Sequence, residues 1–220
     1  MHQAPMIFLL SNISLALCAG PIQAQSQTRT VPPFSSIVLD GIGTVRIHKG
    51  PQAVILTMDE KLFDLFETNV KQDTLYLGFS CKGFLKNWRL LHTVGKCEID
   101  ITVPEIEAIT LNGAGSFLAD AFDQKALSIT VNGAGTIEIQ KGSVSTLRLT
   151  CNGAAKLDTK DMVAEQCDIK ISGSSQISVF VQQLLKVSIT GLGTVTYRGN
   201  PEISQHISGA GTIRKAADHE

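Results

Sequence analysis

A chain of 220 residues with 43% hydrophobic and 18% charged residues has room for one sizeable domain and is too apolar to be disordered or a long charged helix. A net charge of −1 excludes the broad basic field that nucleic-acid binding needs, so no nucleic-acid partner is expected. Nineteen Gly against nine Phe, two Tyr and one Trp predict many turns around an aliphatic core.

Residues 1–24, MHQAPMIFLLSNISLALCAGPIQA, contain no Lys, Arg, Asp or Glu. The apolar run from Met6 to Ala19, then Gly20-Pro21 and a small-residue site ending at Ala24, predict a cleaved signal peptide, although His2 substitutes poorly for a basic start. A lipid anchor through Cys18 fits less well, because Leu17 stands where a small residue is needed. The run is short for a membrane span and nothing later approaches that length, so the mature chain is expected to lack a transmembrane segment. The expected location is exported: periplasmic, outer-surface or secreted.

From residue 25 to 217 a single domain is expected, with a strand-rich lead-in over 30–105 and a short helix near 59–69. Leu75, Leu77 and Phe79 alternate toward Cys81, and Ile99, Ile101 and Val103 alternate away from Cys97. If these two strands pair, a Cys81–Cys97 disulfide staples the base of the intervening excursion. An oxidising compartment permits it, and closing a loop of about 15 residues is worth roughly 3 kcal/mol in the chain-entropy model.

The excursion, 82–96, carries Lys82, Lys86, Arg89, Lys96 and His92 with no acid among them. Phe84, Trp88 and Leu91 would line one face of a helix. Two readings stand side by side. Phe84, Lys86, Trp88 and Arg89 bind an anionic surface such as lipid headgroups, lipopolysaccharide or acidic glycan, or the segment is a lid over an open end of the fold.

The second half repeats. Leu111-Asn-Gly-Ala-Gly115 recurs as Val131-Asn-Gly-Ala-Gly135 and, altered, as Cys151-Asn-Gly-Ala-Ala155. The first glycines are Gly113, Gly133, Gly153, Gly173, Gly191 and Gly209, spaced by 20 and then 18 residues, with an outlying copy at Gly41. Alternating runs flank each copy, such as Leu127, Ile129, Val131 before and Ile137, Ile139 after. A unit this short has no room for a crossover helix between two strands. Short strands stacked rung on rung do fit, which predicts a parallel β-helix whose repeat coil covers 106–215. Gly tolerates the positive φ of a sharp corner, and the residues before it (Asn112, Asn132, Asn152, Ser172, Thr190, Ser208) are placed to bond from rung to rung. No stretch reads G-x-G-x-x-G, so a dinucleotide site is not supported.

These residues together resemble the GIN-domain family of bacteria, whose members are named as auto-transporter adhesin head domains. The resemblance runs through FSSIVLDGIGTVRIHKG (34–50), LTMDEKLFDLFETNVKQDTLYL (56–77), IDITVPEIEAITLNGAGSF (99–117) and the repeats to ISGAGTIRK (207–215). It implies export and a right-handed, single-stranded, all-β parallel β-helix. It brings no catalytic residues. The sequence departs from the pattern at CKGFLKNWRLLHTVGKC (81–97).

Chemistry-bearing residues are sparse. His2, His48, His92, His206 and His219 show no ligand spacing, so no metal or cofactor is expected. No G-x-S-x-G elbow is present. Cys151 and Cys167 would lie about 13 Å apart along the strand direction, too far to bridge, and are read as small buried hydrophobes. On the outward face after the corner, the alignment stacks Leu118, Glu138, Asp158, Ser178, Thr196 and Arg214. Glu138 and Asp158 would be about 5 Å apart, a pair suited to acid–base work on a sugar or merely solvated beside Lys156 and Lys160. The leading expectation is a non-enzymatic, adhesin-like binding scaffold for a cell-surface glycan, lipopolysaccharide or another envelope protein. The alternatives are a glycan-active enzyme using Glu138 and Asp158, and a purely structural envelope module.

Overall fold

The computed structural model describes residues 24–80 and 97–217. The described chain is nearly all β, in eleven strands: β1 (Ala24–Thr28), β2 (Ser36–Lys49), β3 (Ala53–Asp59), β4 (Phe66–Lys71), β5 (Thr74–Phe79), β6 (Glu98–Val103), β7 (Ala108–Ala119), β8 (Phe122–Ile139), β9 (Gly142–Arg198), β10 (Glu202–Gly209) and β11 (Thr212–Lys215). All belong to one hydrogen-bonded sheet.

The parallel registers follow the glycine repeat. Gly113 pairs with Gly133, Gly133 with Gly153, and Gly191 with Gly209. Inside the long β9, a Cβ on Gly173 would overlap the carbonyl oxygen of Gly153, and one on Gly191 would lie 2.6 Å from that of Gly173, so the stack is unbroken. Gly41 is not an outlier: it pairs with Gly113, and the lead-in between them is an insertion into the first repeat.

That insertion builds one end of the stack. β5 pairs in parallel with the first half of β2 and β6 with the second half. The condition set for the disulfide, that these two strands pair with each other, is not met: each adds to β2, on opposite sides of its corner. β4 pairs antiparallel with β5, β3 with β6 and β1 with β3. The expected helix near 59–69 is also corrected. Only a 3-10 turn, Glu60–Leu62, forms, capped by Asp59 accepting from the backbone N–H of Lys61 at 3.0 Å. Phe66–Lys71 alternates and is taken by the β4–β5 hairpin, whose two-residue turn has Gln72 at φ +47 and Asp73 at φ +62, the torsions a tight hairpin selects.

Inward side chains form columns through the rungs. One runs Leu77, Leu39, Leu111, Val131, Cys151, all at most 1% exposed. Cys151 and Cys167 are free and buried, as expected of small hydrophobes. The Cys81–Cys97 disulfide is not shown: Cys97 is a free, buried thiol and Cys81 lies outside the described residues.

The corners explain the motif. The first glycine of each corner, Gly41, Gly113, Gly133, Gly153, Gly173, Gly191 and Gly209, has φ between +121 and +146, where an L side chain is strained. At Gly133 a Cβ would overlap the carbonyl oxygen of Gly113 and lie 3.0 Å from its carbonyl carbon. Glycine is thus required twice, by torsion and by rung spacing. Beside the corner the Asn side chains do form a ladder. Asn152 donates to Asn132 at 2.9 Å, Asn132 to Asn112 at 2.8 Å, and Asn112 to Asp40 at 2.6 Å. Two residues past each first glycine the chain points inward, where Ala155 and Ser175 replace glycine and are 7% and 3% exposed. Ser175 Oγ accepts from Ala155 N at 3.3 Å, which satisfies the buried hydroxyl.

Candidate functional site

The outward face of the strands following the corners gathers most of the polar chemistry of the described chain. Period-two alternation turns Thr44, Arg46 and His48 outward while Val45 and Ile47 are fully buried. The same rows continue on later rungs: Thr44 pairs with Ser116, Ser116 with Thr136 and Thr136 with Lys156, while Arg46 pairs with Leu118, Leu118 with Glu138 and Glu138 with Asp158.

At the β2 end of this face lies an ionic cluster. Arg46 Nη1 bonds Glu98 Oε2 at 2.9 Å and approaches Asp100 Oδ1 at 3.8 Å. His48 Nδ1 is 2.8 Å from Asp120 Oδ2, and its Nε2 is 3.8 Å from Asp100 Oδ1. The hydrogen bond from Arg46, with its charge, holds the Glu98 carboxyl below its ordinary value, and Glu98 raises Arg46 in turn. All five side chains are partly exposed, so solvent screens these pairs and each contributes little to stability. Sequence reasoning missed this cluster. The signal was the alternation of Glu98 and Asp100 against Arg46 and His48, but it becomes visible only once β6 is known to lie beside β2.

In the middle of the face, the expected carboxylate pair is brought together on adjacent rungs. Asp158, however, is held by Lys160, whose Nζ is 3.0 Å from Asp158 Oδ2. The hydrogen bond and charge of Asp158 raise the Lys160 ammonium, with smaller contributions from Asp161 and Glu138. The Lys160 ammonium thus partners one of the two carboxylates, Asp158, directly.

At the β10–β11 end is a shallow depression of about 350 Å³, lined by Gln176, Ser178, Thr194, Thr196, Thr212 and Arg214. Arg214 Nε donates to Thr196 Oγ1 at 3.2 Å, which orients the guanidinium along the strand face. The side chains of Gln176, Thr194 and Thr212 make no hydrogen bond among the described residues, so their donors and acceptors face outward. A larger groove of about 820 Å³ lies beside the connections before the corners, among Glu105, Glu107, Asp123, Lys125 and Arg148. One of its walls serves the backbone: Gln124 Oε1 accepts from Ile106 N at 3.3 Å and its Nε2 donates to Ala126 O at 3.0 Å.

The buried thiols carry no reactivity. Burial pushes Cys97 up to about 12 and Cys151 up to about 11, the latter eased by a hydrogen bond with Ser175, and burial raises Cys167 as well. A thiolate is the nucleophile, and at neutral pH these groups stay protonated. The expected binding residues Phe84, Lys86, Trp88 and Arg89 lie outside the described residues.

Residues 33–201 match the family described as "Putative auto-transporter adhesin, head GIN domain". The chain belongs to this family. Among solved structures, this GIN domain is similar to a putative adhesin from Bacteroides fragilis at 18% identity and a TM-score of 0.66, over 88% of this chain and 97% of that one. It is also similar to a putative adhesin from Parabacteroides merdae at 14% identity and a TM-score of 0.53, over 90% and 98%. A third, named a putative lipid binding protein from Parabacteroides distasonis, has 19% identity and a TM-score of 0.50, over 90% and 98%. At these identities the likeness is one of fold. No curated protein matches the chain. No helix among the described residues is long and apolar enough to cross a membrane, which says nothing of β-barrels.

Proposed function

We propose that this GIN domain is an exported, non-enzymatic binding scaffold of the bacterial envelope. It is wound as a right-handed parallel β-helix, and its post-corner face binds a cell-surface glycan. The observation that carries the reading is the set Gln176, Ser178, Thr194, Thr196, Thr212 and Arg214 lining one depression on successive rungs. Hydroxyl and amide groups repeated at the strand spacing of about 4.8 Å on a stiff sheet offer many weak hydrogen bonds to a polyhydroxylated chain. No loop has to be ordered to make them. Arg214 favours a glycan bearing a carboxylate or sulfate. The adhesin description of the family agrees with such a surface role. The ammonium of Lys160 beside Asp158 argues against using Glu138 and Asp158 as a catalytic pair.

A glycan array probed with the protein tests the reading. Binding to one glycan class is expected, weakened about tenfold by Arg214→Ala and several-fold by Thr194→Ala with Thr212→Ala. Binding that all three substitutions leave unchanged would place the ligand elsewhere.

A second reading rests on 82–96. β5 and β6 stack on the two halves of β2 that flank the Gly41–Gly43 corner, so this basic, Trp-bearing stretch leaves and rejoins the fold at a corner position. Its composition suits an anionic surface, and one structural relative is named for lipid binding. Phe84, Lys86, Trp88 and Arg89 would then make that contact.

A further inference from the structure

The two ends of the stack are finished differently. Beyond β2 the rungs continue as β5 and β6 and are closed by the antiparallel strands β4, β3 and β1. Met58, Leu62, Phe63 and Phe66 are buried there. At the opposite end, among the described residues, the sheet stops at β10, and all eight residues of β10 are exposed. Its inward side chains continue the core columns, with Ile203 on Leu185, Gln205 on Val187 and Ile207 on Ile189. Those three neighbours are 0%, 3% and 0% exposed, whereas Ile203 and Ile207 stand at 38% and 37%. An uncovered core cross-section beside an unpaired strand edge is a surface that stacked-repeat proteins ordinarily close.

The excursion between β5 and β6 is too short to reach it. Residues 81–96 leave after Ser80 and return at Cys97, next to β2 and seven rungs from β10, about 34 Å at 4.8 Å per rung. Eight residues out and eight back extend no more than roughly 27 Å. Residues 1–23 join through β1 at the same far end and are expected to be removed.

We propose that the β10 edge is a self-association surface and that its occupant is β10 of a second copy of this chain, the two stacks meeting end to end about a twofold axis. Antiparallel pairing centred on Gln205 sets Ile203 opposite Ile207 of the second copy, and Ile207 opposite its Ile203, so that two apolar pairs close the two cores. Gln205 meets its own counterpart on the axis, where an amide supplies both a donor and an acceptor. On the outward face Ser204 stands opposite His206 and Glu202 opposite Ser208, so no like charges face each other. The pairing uses one patch twice and stops at two copies. The far end, finished by antiparallel strands, does not present the same bare rung for head-to-tail growth.

Sedimentation equilibrium of the purified protein is expected to give a dimer at about 100 μM that dissociates on dilution, a modest affinity suited to a small patch. Ile203→Lys and Ile207→Lys should each weaken association at least tenfold with the β circular dichroism unchanged. Gln205→Cys supplies a test independent of those variants. Residues directly opposed in an antiparallel pair have Cα atoms about 4.5–5.5 Å apart, inside disulfide range, so mild oxidation should link two copies through that position. A monomer at about 100 μM, a mass that climbs past the dimer, or a dimer that withstands Ile207→Lys without forming the Gln205→Cys crosslink each overturns the proposal.

Discussion

Replacing Gly133 by Ala is the sharpest test of how the stack is held. Gly133 sits at φ +142, and an added Cβ would overlap the carbonyl oxygen of Gly113 on the rung beside it. The torsional strain alone costs about 1–3 kcal/mol. Relieving the overlap requires the rungs to part locally, which stretches the Asn132–Asn112 and Asn152–Asn132 side-chain bonds of 2.8 and 2.9 Å. Their net worth is about 1 kcal/mol each at most, so the total loss is about 4 kcal/mol. A domain of this size loses roughly 2–4 °C per kcal/mol, which places the drop in Tm near 8–16 °C. Because the overlap begins at Cβ, Gly133→Val should cost little more than Gly133→Ala. Gly41 is the internal control. Its φ is +129, yet among the described residues nothing lies within 4 Å of its Cβ position, so Gly41→Ala should carry the torsional cost alone. Urea unfolding of the three variants measures the difference directly. If Gly133→Ala costs no more than Gly41→Ala, rung spacing is not what the corner glycine protects.

Four further outcomes are expected. Burial raises the Cys97 and Cys151 thiols from an ordinary 9.0 to about 12 and about 11. The unfolded chain therefore sheds protons above pH 9 that the folded chain keeps, and each thiol removes up to about 1.4 kcal/mol of stability per pH unit there. Cys151→Ala should make the alkaline loss between pH 9 and 11 shallower, and an unchanged slope would contradict the burial argument. Intact-mass measurement of the exported protein should find an N-terminus near Gln25, and retention of Met1 in the envelope fraction would oppose the signal-peptide reading. No polysaccharide should be hydrolysed in a manner that Glu138→Gln abolishes; such turnover would restore the enzyme alternative. The combined variant Lys86→Ala, Trp88→Ala, Arg89→Ala should lower binding to vesicles rich in anionic lipid, and rising salt should lower wild-type binding likewise, since exposed charges are screened beyond about 8 Å at physiological ionic strength. Binding indifferent to both would remove the second reading.

The repeats were legible because their cause is local. A rung is one alternating strand, one corner and another alternating strand, and each declares itself within about 20 residues. That is why the glycine register, the Asn ladder and the placement of Cys151 and Cys167 as buried hydrophobes all appear in the structure as read from the chain. The juxtaposition of Glu138 and Asp158 was legible for the same reason. The lead-in was not. Nothing local distinguishes Phe66–Lys71 as a hairpin strand from a short helix until Thr74–Phe79 is present to receive it.

By itself, then, the sequence determined the all-β class, the rung length, the glycine corners and the membership in the GIN-domain family. Tertiary structure alone decided that Gly41 belongs to the first rung, that β5 and β6 both stack on β2, and that Arg46 and His48 meet Glu98, Asp100 and Asp120. It also decided that Lys160 pairs with Asp158 and that, among the described residues, β10 is left exposed at the end of the sheet. The physical reason is range. Alternation and corner torsions act within a rung, and a fixed period carries them to the next. A partner brought in from 52 residues away, as Glu98 is to Arg46, is chosen by which strand edge remains open, and that is a property of the assembled sheet.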